Sequence, residues 1–128
     1  MVQRMNQETI QVFDETEEEF VRLLIVFGFK KRVAVVLISL ANTRETTARA
    51  LERGANLNQS DVSMAMKNLI DRGWVRVRKT DSPRGGRATK VYSLQQSFLK
   101  ILNIVEKEKK EELKNQLARL RNMKETIR

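Results

Sequence analysis

The chain has no cysteine and no histidine. Thiol catalysis, disulfide stapling, imidazole acid–base chemistry and structural zinc sites are therefore excluded, and no cofactor or metal is expected. It has one proline, one tryptophan and one tyrosine. Trp74 and Tyr92 are the only candidates near the basic surface for the stacking that single-stranded RNA readers use, which argues against that class. Glycine is sparse, and the adjacent pair Gly85 and Gly86 lies in a hydrophilic stretch rather than ahead of a helix, so no phosphate-binding glycine loop is present. The carboxylates cluster at helix starts and in the C-terminal segment, with no paired acids drawn from separate elements, and the chain is not expected to be an enzyme. Apolar runs such as Val33 to Ile38 fall far short of the roughly 20 residues that span a bilayer. The N-terminus lacks the basic-then-apolar order of a signal peptide. A cytoplasmic location without a membrane partner is the expectation.

Positive charge, by contrast, is abundant. Across 128 residues the net charge is +9, yet residues 1–20 carry one Arg against six acids, which leaves +14 on the other 108. Such a balance favours a polyanionic partner, nucleic acid before an acidic membrane surface. The length suits one domain with a modest core.

Residues 58–94 organise the chain. Asn58 is a good N-cap and Asp61 an acid in the first turn, so a helix is expected from Gln59 to Arg72. Val62, Ala65, Met66, Leu69 and Ile70 form one apolar stripe, and Gly73 supplies the left-handed residue that ends the helix. The opposite face presents Gln59, Ser60, Ser63, Met64 and Lys67, short or flexible side chains suited to entering a groove. Trp74 to Arg78 and Val91 to Leu94 alternate with the period of strands. The interval between them, Lys79 to Thr89, contains Pro83, Gly85 and Gly86 and reads as the long tip of a hairpin. From Arg72 to Lys90 there are seven basic residues, Arg72, Arg76, Arg78, Lys79, Arg84, Arg87 and Lys90, against the single acid Asp81. A tip this basic repels itself unless an anion lies against it.

Residues 1–13 form an arm without a clear assignment. Thr16 with Glu19 reads as a capping box, followed by Phe20, Leu23, Leu24 and Phe27 on one face and a stop at Gly28. Lys30 to about Leu40 is expected to be a helix central to the core, with Lys30, Lys31 and Arg32 at the end where the helix dipole disfavours cations. Asn42 or Thr43 is expected to cap a third helix that turns Ala50 and Leu51 inward and closes at Gly54. From a capping box of Ser93 and Gln96, a final helix is expected to run over the segment 95–128. Leu99, Leu102, Leu113, Gln116, Leu120, Met123 and Ile127 lie on a coiled-coil seam interrupted by Glu106 and Lys109. Of two readings, a dimer contact or a helix folding back on its own domain, the dimer contact is favoured, because about 30 helical residues span about 45 Å, more than so small a body needs. The order of elements is mainly α with a small β-hairpin, a winged helix-turn-helix over residues 14–94 with a long C-terminal helix.

Residues 43–94 resemble the winged-helix regulators of the MarR, ArsR and TrmB-like families. The matches are NLNQSDVSMAMKNLIDRGWV, similar to their recognition-helix pattern, and GGRATKVY, similar to their wing and return strand, with Ala88 standing where many members have Pro. The segment RGANLNQSDVSMAMKNL is most similar to small euryarchaeal regulators, including activators of archaellum operons. The resemblance implies a sequence-specific regulator that binds double-stranded DNA, and the long C-terminal helix leads us to expect a homodimer. Gln59, Ser60, Ser63, Met64 and Lys67 would read the major groove, Arg84 and Arg87 would reach an adjacent minor groove or phosphates, and Arg76, Arg78, Lys79 and Lys90 would hold the backbone. Activation would need a second surface for general transcription factors, with the acids around Glu17 to Glu19 as a candidate. The alternative is a winged-helix module that docks another protein of the transcription machinery, although such a wing needs no run of basic residues.

Overall fold

Asp14 opens the first helix. Its carboxylate accepts the Glu17 amide at 2.8 Å while the Glu17 carboxylate accepts the Asp14 amide at 3.0 Å, a reciprocal capping box that starts α1 (Glu15–Val26). The expected box at Thr16 and Glu19 is not formed. A carboxylate accepts helix amides more strongly than a hydroxyl does, and Glu19 is instead engaged by Arg22 at 2.9 Å. The computed structural model describes residues 13–81 and 88–128; within the chain two units separate, Met1–Ser97 and Phe98–Arg128.

In the first unit α2 (Lys31–Ala41) is buried from Val33 to Leu40, as its apolar sequence demands. Its single polar interior side chain, Ser39, donates to the Val35 carbonyl at 2.8 Å. Around α2 are packed Val21 and Leu24 of α1, Leu51 of α3 (Ala48–Ala55) and the stripe Val62, Ala65, Met66 and Leu69 of α4 (Gln59–Asp71). Ile70 departs from the expected stripe and lies 37% exposed. Glu17, assigned above to an outward acidic surface, is buried: it is 3% exposed and its second carboxylate oxygen accepts from Asn42 Nδ2 at 2.6 Å. That removes it from any docking surface, because moving a buried, hydrogen-bonded carboxylate outward would strand Asn42 as well.

The third helix starts later than either cap proposed for it. Thr47, not Asn42 or Thr43, caps α3 by accepting the Ala50 amide at 3.1 Å. The physical reason lies one residue earlier, where Thr46 is extended and exchanges two backbone hydrogen bonds with Tyr92, at 2.9 and 2.8 Å. An extended residue cannot also be helical. At the other end Asn56, with φ 56°, supplies the left-handed cap in place of Gly54, Asn being among the side chains that tolerate this region best. Leu51 is buried as expected, whereas Ala50 is exposed.

The cap of α4 forms as read, with Asn58 accepting the Asp61 amide at 2.7 Å. Gly73 follows at φ +79°, and a Cβ built there would meet nothing within 4 Å. Glycine is therefore required by the dihedral angle and not by crowding, a difference of about 1–2 kcal/mol for an L side chain. Trp74 is 2% exposed and belongs to the core. The Arg72 guanidinium lies 4.9 Å from the Phe29 ring centroid and 4.7 Å from that of Trp74, a cation–π clamp between the end of α4 and the start of α2.

β1 (Val75–Thr80) and β2 (Thr89–Leu94) pair antiparallel from Val75 opposite Leu94 to Thr80 opposite Thr89. Both strands run further into the wing than the alternation pattern reaches, so Lys79, Thr80 and Thr89 are ladder residues and not part of the tip, with Lys79 paired to Lys90. β-branched Thr80 and Thr89 extend the pairing, with the Thr80 hydroxyl donating to the Thr89 carbonyl at 3.3 Å. Arg84 and Arg87 lie outside the described residues, as does the arm up to residue 12.

The second unit is α5 (Phe98–Thr126), 29 residues. It does not begin at a Ser93–Gln96 box: Ser93 is in β2, and Gln95 and Gln96 donate to the carbonyls of Trp74 and Gly73 at 2.8 and 3.3 Å, closing the base of the hairpin. Along α5, Leu113, Leu117, Leu120 and Met123 are exposed, as is Ile127 just past its end. Leu117 widens the apolar strip beyond the sequence seam, which passes through Gln116. No helix among the described residues is long and apolar enough to cross a membrane.

Asn42→Ala is expected to lower the unfolding free energy by about 1–3 kcal/mol, because it leaves the buried Glu17 carboxylate short of a donor. Urea denaturation should show the midpoint falling at unchanged slope; a loss under about 0.5 kcal/mol would mean the α1–α2 link contributes little.

Candidate nucleic-acid interface

Burial of one stripe of α4 against α2 leaves Gln59, Ser60, Ser63, Met64 and Lys67 facing outward, and all five are exposed. They form a face of amide, hydroxyl, thioether and ammonium groups with few internal ties. The Ser60 hydroxyl is 3.8 Å from the Met64 sulfur, a weak contact. Lys67 Nζ is 3.4 Å from Asp71, with both side chains more than half exposed. Such a pair is worth at most about 0.5 kcal/mol, so a competing anion displaces it readily.

The hairpin extends this face on one side. Gln59, Ser63 and Lys67 line an open groove of about 360 Å³ together with Lys90 and Tyr92 of β2 and Ile70 of α4. Side chains alternate across a strand. Because Lys79 is registered opposite Lys90, both belong to the face shared with Tyr92.

Arg76 and Arg78 fall on the other face of the hairpin, one residue out of phase. The four strand cations read from the sequence as one backbone-holding set are thus divided by the pleat into two pairs. Arg78 is held there by Glu45, its Nε and Nη2 each donating to a different carboxylate oxygen at 2.7 Å. The hydrogen bonds and charge of Arg78 hold the Glu45 carboxyl below its usual value, with Arg44 and Arg76 adding smaller pulls. Glu45 in turn raises Arg78. Neither Arg44 nor Glu45 was singled out from the sequence. The signal was present in residues 43–47, where a run of Thr around two charged residues marks an extended link, and it was read as a helix start.

The arrangement is that of a winged helix-turn-helix protein: α3 and α4 joined through a left-handed Asn56, then a hairpin whose β2 also pairs with Thr46. Residues 23–115 match the family model described as the sugar-specific transcriptional regulator TrmB, and the chain belongs to that family, which is one of regulators and not of enzymes. The fold is similar to that of a possible transcriptional regulator from Methanosarcina mazei Go1, with a TM-score of 0.64 and 21% identity over 82% of this chain and 87% of that one. A MarR family regulator from Neisseria meningitidis is similar at 19% identity over 62% of this chain and 54% of its own, with a TM-score of 0.49. No curated protein sequence matches.

The pair of Glu45 and Arg78 has a definite pH signature. Because the folded carboxyl titrates below its unfolded value of about 4.5, its contribution to stability is full above pH 4.5 and is lost as pH falls through the lower folded value. Carbon-detected NMR of Glu45 should place its midpoint below 4.5, and Arg78→Gln should return it toward that value. An unchanged midpoint in the variant would show that Arg78 is not the cause.

Proposed function

We propose that the chain is a homodimeric, sequence-specific double-stranded DNA-binding regulator that lays α4 in the major groove. The observation that carries this reading is the outer face of α4: five exposed side chains able to bond or touch base edges, on a helix fixed by its buried stripe, beside a hairpin whose near face carries two lysines. Gln59, Ser60, Ser63 and Lys67 offer hydrogen bonds to base edges and Met64 an apolar contact for a thymine methyl. Lys79 and Lys90 hold the phosphates that border the groove, Arg84 and Arg87 of the wing reach the next minor groove or its phosphates, and Arg76 and Arg78 contribute phosphate contact from the far side of the hairpin.

Dimerisation through α5 is supported by its exposed leucines. Leu113, Leu117 and Leu120 follow coiled-coil steps, and a helix about 44 Å long offers room for a paired seam. A two-fold arrangement puts half-sites about one helical turn, roughly 34 Å, apart. The likeness of residues 53–69 to activators of archaellum operons makes an archaellum-type promoter the first duplex to try.

Selection from random and genomic duplex pools tests the reading. Gln59→Ala and Lys67→Ala are expected to change the enriched motif, while Arg87→Ala weakens binding to every sequence alike and lowers the salt slope by about one. Equal losses on all sequences for the three variants would remove α4 as the reading element. For the dimer, Leu117→Glu is expected to halve the mass seen by sedimentation and to weaken binding to a paired site at least tenfold while sparing a half-site; a dimer of wild-type stability in that variant would exclude the α5 seam.

A further inference from the structure

The far face of the hairpin carries a second basic feature that the groove around α4 does not use. Arg44, Arg76, Arg78, Glu45, Ser93 and Leu94 line an open depression of about 580 Å³. Three guanidiniums meet one carboxylate there, which leaves a local charge of +2. The carboxylate is already occupied: both of its oxygens accept from Arg78, at 2.7 Å each. That fork uses Nε and one terminal nitrogen and leaves Nη1, with two protons, for another acceptor.

The walls are fixed as well as charged. Thr46 exchanges two backbone hydrogen bonds with Tyr92, and the Thr43 hydroxyl donates to the Glu45 carbonyl at 3.2 Å, so the segment bearing Arg44 and Glu45 is stitched to the edge of β2. Arg76 stands directly opposite Ser93 in the ladder, and both side chains line the depression. Planar guanidinium donors and a hydroxyl lining one depression, with one arginine braced by a carboxylate, match the several acceptor oxygens of a phosphate group.

We infer that the depression formed by Arg44, Arg76, Arg78 and Ser93 binds a phosphate group, with Glu45 bracing Arg78 in the orientation that receives it. The phosphate comes from one of two sources, the DNA backbone beyond the groove occupied by α4 or a free phosphorylated small molecule. Only the first source rests on the function proposed above. Glu45 is a positioning residue: it touches the arginine and not the phosphate.

The test uses the full chain, with inorganic phosphate as probe in one arm and duplex DNA in the other. Arginine side-chain NMR during a phosphate titration, at ionic strength held constant with chloride, is expected to show saturable shifts at Arg44, Arg76 and Arg78. The Arg44→Gln, Arg76→Gln double variant keeps the Glu45–Arg78 brace and is expected to weaken the response at least tenfold, with near-ultraviolet circular dichroism of Trp74 reporting an intact fold. In the DNA arm the same variant is expected to lower the salt slope by about two on a duplex with long flanks and by less on a duplex trimmed to the α4 site. Saturation by phosphate without a change in DNA slope identifies a free phosphorylated ligand, and a flank-dependent slope change without saturation identifies the DNA backbone. Shifts no larger with phosphate than with chloride, together with an unchanged slope, overturn the site. Motif selection by α4 surviving that result would show that only the pocket had failed.

Discussion

Everything in the first unit depends on the burial of α2 on all sides. Ala34, Val36, Leu37 and Ile38 are each 0% exposed, and a helix without a wet face forces its neighbours to supply complete apolar cover. At about 1.5–3 kcal/mol for each fully buried large aliphatic side chain, the penalty for exposing even one turn of α2 exceeds any surface contact described here. α1 and α4 are therefore held by the stripes they turn toward it. The rotation of α4 about its own axis is decided in the same stroke. With Val62, Ala65, Met66 and Leu69 inward, Gln59, Ser63 and Lys67 have only the outside left to them.

The hairpin is placed by a second, polar constraint. A two-stranded ribbon is marginal alone, and here its base is closed by Gln95 and Gln96 on the carbonyls of Trp74 and Gly73, while β2 gains a second partner in Thr46. Arg72, stacked over Phe29 and Trp74 with its Nε 3.0 Å from Asn68, joins the end of α4 to the same region. Helix and wing thus share one rigid junction. A groove between them keeps its shape because neither wall turns without breaking hydrogen bonds or opening the core.

The parts legible in the sequence were those set by neighbours in the chain. The α4 cap at Asn58, its buried stripe, the left-handed Gly73 and the core position of Trp74 follow from local periodicity and from the stereochemistry of single residues. What was misread depended on partners far away in sequence. Thr47 caps α3 because Thr46 is taken by Tyr92, and Glu17 is buried because Asn42, 25 positions on, offers it an amide. The site divides the same way: the outer face of α4 was readable as a helix face, whereas the division of Arg76 and Arg78 from Lys79 and Lys90 required the exact strand register. Charge counting along the chain gave one basic wing; the pleat makes it two surfaces.

Those surfaces also mark where the fold works against itself. Lys79 stands directly opposite Lys90, a cross-strand like-charge pair that costs a few tenths to about 1 kcal/mol relative to neutral residues. Lys31 and Arg32 occupy the first turn of α2 behind Lys30, with no acid in that turn and no side-chain cap, against the helix dipole. Stability alone would not select either arrangement, whereas the capping acids of α1 and the buried stripes agree with the fold at every level. Conflicts of this kind concentrate where function imposes its own terms. A polyanion laid along β1 and β2, as the proposed function has it, would relieve the first of them, since its phosphates would give both lysines a partner. In the complex proposed above, the energy withheld from folding at Lys79 and Lys90 would be recovered on binding, and salt, which screens the lysines from each other and from DNA alike, would act on the two in opposite directions.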